Sequence, residues 1–158
     1  MASTTMLPHD ADHWIEMGVQ LRREGKLDEA VDTFRHALET SPDDGQGWSE
    51  LAHALRWQGK FDEAREAASK AIQLAPELAG GWFNFGAILA AQGGTEEGIA
   101  AYRKALQLKP DFAEAWSNLG GALAASGDKS GEIDAYRRAI GINPQLAPVW
   151  SKDRKSVV

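Results

Sequence analysis

The chain has no cysteine, so neither a disulfide framework nor thiolate chemistry is available to it, and its redox compartment stays open. It has no uncharged apolar run approaching the roughly 18 residues of a membrane span. The opening Met1-Ala2-Ser3-Thr4-Thr5-Met6-Leu7-Pro8 has neither a basic start nor an apolar stretch, so no secretory signal is expected. β-Branched residues are scarce, 17 in 158, which argues against an all-β architecture. Cations are outnumbered: 17 Lys and Arg against 23 Asp and Glu leave a net charge of −6. Without clustered cations a nucleic-acid backbone is not the expected partner. No membrane partner is expected either, and a cytoplasmic location follows as the expectation.

Large apolar residues are also few. Val, Ile, Leu and Phe together number 31, whereas Ala alone supplies 26. That is close to the roughly 20% level that warns of disorder. Six Trp and a helix-favouring composition point instead to an Ala-rich helical protein with close contacts between small residues. Length alone suggests one domain.

What the chain does have is a period. Trp14, Trp48, Trp82, Trp116 and Trp150 stand 34 residues apart, as do Leu21, Leu55, Leu89 and Leu123. The same interval separates Gly25, Gly59, Gly93 and Gly127, then Ala37, Ala71, Ala105 and Ala139, then Pro42, Pro76, Pro110 and Pro144. Self-similarity of this kind is the mark of a repeat architecture. The units are 11–44, 45–78, 79–112 and 113–146, preceded by a flexible tail over 1–10 and followed by a truncated fifth unit over 147–158.

Each unit reads as two helices. In the first unit Trp14, Met17, Gly18 and Leu21 fall at i, i+3, i+4 and i+7, one face of a helix. Gly25 suits a left-handed residue after the helix end. Asp28 stands where an N-cap or first-turn acid would, and Ala30, Phe34, Ala37 and Leu38 form the apolar face of a second helix. Pro42 closes the unit because proline cannot continue a helix. Gly18, Ala30 and Ala37 are small enough to let the two helices approach around the rings.

The pattern Trp-x2-Leu-Gly-x2-Leu, Ala-x3-Phe-x2-Ala, then Pro, resembles the tetratricopeptide repeat (TPR) over residues 11–150. The second unit departs from it with Ala52 for the first-helix Gly and Ala68 for the aromatic. Gly98 and Glu132 replace a usual second-helix Ala and are expected to weaken local packing. The resemblance implies an all-α fold, a right-handed superhelical solenoid of antiparallel helical hairpins that binds a protein or peptide in its concave groove. It implies neither cofactor nor catalysis.

Catalytic constellations are weak throughout. His9 and His13 share an i, i+4 spacing that could hold zinc, but Asp10 stands where the HExxH motif has Glu and no third ligand is evident. The plainer expectation is that Asp10 or Asp12 caps the first helix. His36 and His53 lack a sequence partner for nucleophilic work. Gly93-Gly94 lacks the Lys-Ser/Thr of a phosphate loop, and acid pairs such as Asp43-Asp44 and Glu96-Glu97 fall at turns and helix starts. No metal site is expected.

The groove is assigned to the first-helix stripe opposite the Trp face. It reads Asp12, Glu16, Val19 and Arg23 in the first unit and Gln46, Glu50, His53 and Trp57 in the second. Gly80, Asn84, Ala87 and Ala91 follow in the third, then Glu114, Asn118, Gly121 and Ala125 in the fourth. Arg22 and Arg56 flank the first half, Phe83 the second. Glu16, Arg23, Glu50, His53, Trp57, Asn84 and Asn118 are the candidate peptide-binding residues. Trp57 alone breaks the 34-residue register, which makes it a candidate binding anchor or a ring packed on its neighbours. The amides of Asn84 and Asn118 could hold an extended backbone, since each offers a donor and an acceptor. This pair resembles the asparagine column in the TPR region of O-linked N-acetylglucosamine transferases, with Glu16 and Glu50 in its other places.

A clamp for acidic chaperone tails is not expected. In one frame its places hold Ile15, Val19, Glu50, Gly80 and Asn84, and in the next Ser49, His53, Asn84, Glu114 and Asn118. The required cations are missing and the glutamates would repel a carboxylate. The favoured function is a non-enzymatic protein-interaction scaffold. The competing one is a substrate-docking segment of a larger enzyme such as a glycosyltransferase. At the C-terminal end, 148–156 either forms a charged cap docking Trp150 over Ala135, Ala139 and Ile142, or leaves an apolar edge where a second copy pairs.

Overall fold

A computed structural model describes residues 10–147. Among these the chain forms eight α-helices and one 3-10 turn, arranged as successive helical hairpins, which makes the protein all-α. It divides into two compact units, unit 1 up to Pro76 and unit 2 from Glu77.

Unit 1 holds α1 (Ala11–Arg23), α2 (Leu27–Thr40), α3 (Gly45–Trp57) and α4 (Phe61–Leu74). The His13 N–H donates to Asp10 Oδ1 at 2.9 Å, so Asp10 caps α1. His9, the other member of the considered zinc pair, lies outside the described residues. Gly25 has φ 79°, and behind it the Lys26 N–H reaches Leu21 O at 2.9 Å while the Gly25 N–H reaches Arg22 O at 3.0 Å. These are the two bonds of a Schellman turn. Gly59 repeats them after α3 with Leu55 O and Arg56 O. Asp28 proves to be a first-turn acid, because the α2 N-cap is Lys26 and makes no side-chain cap.

The core of unit 1 includes Ile15, Phe34, Leu38, Leu51 and Leu55, filled out by the buried alanines from Ala30 to Ala71. A Cβ on Gly18 would come within 2.5 Å of Phe34 Cε1, so this glycine is required for the Phe34 ring to lie against α1. Where the second repeat has Ala52 instead, its second helix has Ala68 in place of the ring, and both are buried. Backbone approach and ring size change together.

One expectation is corrected here. Of the Trp14, Met17, Gly18 and Leu21 face only Gly18 is fully buried, while Ile15 joins the core. Met17 is 39% exposed, whereas its counterpart Leu51 is 4% exposed. Leu51 sits on a helix that packs against the preceding α2, and no described helix precedes α1.

Unit 2 holds α5 (Ala79–Ala91), α6 (Thr95–Leu108), α7 (Ala113–Ser126), α8 (Lys129–Ile142) and the 3-10 turn Pro144–Leu146. Its core gathers Phe83, Ile99, Tyr102, Leu106, Leu119 and Leu123, with Trp82, Phe112 and Trp116 packed on the edge. Phe83, expected beside the groove, is therefore a core residue, its ring 4.8 Å from that of Phe112. Gly98 is not a defect either: a Cβ there would meet Gly86 O at 3.1 Å and Ala90 Cβ at 3.3 Å, so α5 and α6 close over the missing methyl. The Trp and Pro columns are joined by hydrogen bonds. The Trp48 indole donates to Pro42 O at 2.8 Å and that of Trp116 to Pro110 O at 2.9 Å, each tying a first helix to the end of the preceding repeat. The expected cap, including Trp150, lies outside the described residues beyond Ala147.

Candidate functional site: the first-helix faces of the two units

In unit 1 the stripe residues of α3 are bound into a network. Arg22 of α1 donates through Nη2 to Glu50 Oε2 at 3.1 Å, and its Nη1 lies 3.5 Å from His53 Nε2. The Trp57 indole N–H donates to the same His53 nitrogen at 2.9 Å. Gln46 donates to Glu50 Oε1 at 2.9 Å, and the Arg56 guanidinium stands 5.1 Å from the Trp57 ring centroid. Glu50, His53 and Arg22 are half-buried, while Trp57 is 62% exposed at the last position of α3. Its ring is held by its own helix rather than sunk into a neighbour. Glu16 and Arg23 are exposed and outside this network. Arg22, placed by sequence only at the flank, is its hub.

In unit 2 the same positions are small. Two repeats on from Arg22, Glu50, His53 and Trp57 stand Ala90, Asn118, Gly121 and Ala125. They border a cavity of about 430 Å3 that is also lined by Thr95, Tyr102, Ser117 and Tyr136. Gly121 lies beside Tyr136, where a Cβ would stand in ordinary contact, 3.5 Å from its Oη. Asn118 is half-buried at its wall, and its side chain makes no hydrogen bond among the described residues. Asn84, paired with it in the sequence, is only 5% exposed. The two amides are thus not equally presented to solvent.

Neither face assembles a nucleophile, a base and an orienting acid, and the described residues contain no group of three His, Cys, Asp or Glu able to hold a metal. What they offer is hydrogen bonding and aromatic surface. None of the described helices is long and apolar enough to cross a membrane.

Two family models described as tetratricopeptide repeat match the chain, one over residues 21–79 and another over 83–147. The chain belongs to the tetratricopeptide-repeat family. No curated protein matches it. Among solved structures it is similar to "Crystal structure of MamA", with 19% identity, TM-score 0.74, and coverage of 90% of this chain and 83% of that one. A MamA fragment from Desulfovibrio magneticus RS-1 shows 20% identity and TM-score 0.73, covering 86% of this chain and 77% of the other. A thermophilic TPR protein in Thermus thermophilus shows 21% identity and TM-score 0.78, with 85% and 75% covered. At these identities the likeness establishes the fold. The resemblance of the groove to glycosyltransferase TPR regions gains no support from these neighbours.

Proposed function

We propose that this chain is a non-enzymatic interaction scaffold that holds an extended segment of a partner protein against the first-helix stripes of its TPR repeats. The observation that carries the reading is the cavity at Asn118. It is open, it is lined by hydroxyl and amide groups able to donate and accept, and glycine and alanine leave its floor accessible to a peptide backbone. Unit 1 adds an exposed indole already fixed by His53 and Arg56, so little rotamer freedom is lost when a partner covers it. Membership of a repeat family built on stacked hairpins supports a binding rather than a catalytic role.

The test is a peptide selected from a displayed library on the intact chain, titrated against wild type, Trp57→Ala and Asn118→Ala. The reading expects each substitution to weaken binding severalfold or more while the helical circular dichroism is unchanged. Full affinity in both variants would overturn it.

A further inference from the structure

The protein carries a second kind of hollow on the opposite side of its first helices, and it occurs once in each unit. In unit 1 it lies between α2, α3 and α4 with a volume of about 410 Å3. In unit 2 it lies between α6, α7 and α8 with a volume of about 560 Å3. The two are built from the same repeat positions. In unit 2 Leu106, Leu119 and Leu123 form an apolar floor, Trp116 a wall, and Arg103 and Arg138 stand at the rim.

The charges at the rims differ. Unit 1 sets Arg35 and Lys70 against Glu39, Glu63 and Glu66. There Arg35 Nη2 donates to Glu63 Oε2 at 2.7 Å, an ion pair from α2 to α4 at the edge of the hollow. Two repeats on, Arg35 becomes Arg103 but Glu63 becomes Gly131, and Glu39 becomes Gln107. Arg103 therefore has no carboxylate, and makes no ion pair among the described residues. The Arg138 guanidinium is held 4.8 Å from the Trp116 ring centroid, leaving Asp134 as the single acid beside two arginines. The larger hollow is the one with no counterpart of Glu63.

We propose that the unit 2 hollow is a binding site for an acidic side chain of a partner protein, a glutamate flanked by leucine-like residues, whose carboxylate takes at Arg103 the place that Glu63 holds at Arg35. A guanidinium pairs a carboxylate in a fork that an amide cannot reproduce, and the leucine floor receives the apolar neighbours. The site is separate from the stripe at Asn118, because Trp116, Leu119 and Leu123 lie on the other face of α7.

The probe is the blocked peptide acetyl-Ala-Ala-Leu-Glu-Leu-Ala-Ala-amide, titrated into the isotopically labelled intact chain and followed by NMR, with its glutamine counterpart as control. We expect saturable shifts at the Trp116 indole and the Arg103 side chain, and at least tenfold weaker binding of the glutamine peptide. Arg103→Gln, at an exposed position, should remove the difference between the two peptides. Glu63→Ala should open the unit 1 hollow and add a second set of shifts at the Trp48 indole. Transplanting the unit 1 residues with Asp128→Lys and Gly131→Glu should close the unit 2 site, and paired changes are needed because a Cβ on Gly131 would meet Asp128 Oδ2 at 2.5 Å. Equal binding of the two peptides, shifts confined to Ser117 and Asn118, or no saturable shift at Trp116 would each overturn the proposal.

Discussion

The first-helix faces of the two units start from one repeat and end in opposite states. Unit 1 fills its stripe with Arg22, Glu50, His53 and Trp57 and pairs them with one another. Unit 2 puts Ala90, Asn118, Gly121 and Ala125 in those places and is left with a cavity edged by hydroxyls. Behind the stripe the substitution runs the other way, since Phe34 and Ala68 of unit 1 become Tyr102 and Tyr136. A face whose side chains pair with one another presents mainly its outermost ring. A face of small side chains leaves room for the partner backbone proposed above. The same fold thus yields a side-chain network in one unit and an open cavity in the other by exchanging a few side chains over a shared helical frame.

Four experiments would break or sharpen this contrast. The largest effect is expected at Phe34, which is fully buried against Gly18. Phe34→Ala should cost about 3–5 kcal/mol in a denaturant titration, and Tyr136→Ala distinctly less, because Tyr136 is only half-buried. Equal losses would mean the two frames are not packed as described. Next, Arg22→Ala removes the hub of the unit 1 network and leaves the half-buried Glu50 carboxylate bonded to Gln46 without its cation. A loss of about 1–3 kcal/mol is expected, against a smaller one for Ala125→Ser, since Ala125 borders the open cavity of unit 2. Third, Trp57→Ala should shift stability by less than about 1 kcal/mol while lowering affinity for a selected peptide. A collapse in denaturant midpoint would put Trp57 in the core instead. The smallest stability effect belongs to Asn118→Ala, within about 0.5 kcal/mol, with its consequence confined to calorimetric affinity at about 1 kcal/mol per lost hydrogen bond.

Much of the architecture could be read from the residues alone. The Trp, Gly and Pro columns carry the period, and α1, α3, α5 and α7 begin 34 residues apart, at 11, 45, 79 and 113. Gly25 and Gly59 have the left-handed geometry that their place after a helix demands. The burial of individual positions was less legible. A one-sided helical wheel puts Met17 inside and Phe83 outside, yet a helix flanked by neighbours on more than one side buries a broader arc, and α1 has no described helix before it. Asn84 and Asn118 look alike in sequence, but burial separates them. The hub role of Arg22 depends on α1 and α3 lying side by side, a contact between residues 28 apart in sequence that no local pattern encodes. The hollow above Leu106, Leu119 and Leu123 was not legible either. Its decisive residue, Gly131, reads in sequence only as a poor helix former, and its meaning emerges when Glu63 is seen paired with Arg35.

The central claim is that unit 2, not unit 1, supplies the receptive first-helix face. NMR shift mapping of a library-selected peptide on the intact chain tests it most directly. The account predicts that the largest backbone perturbations fall on Ser117, Asn118, Gly121 and Ala125, with Glu50 and His53 moving little. Perturbations concentrated on Glu50 and His53, with the Asn118 stripe silent, would contradict it.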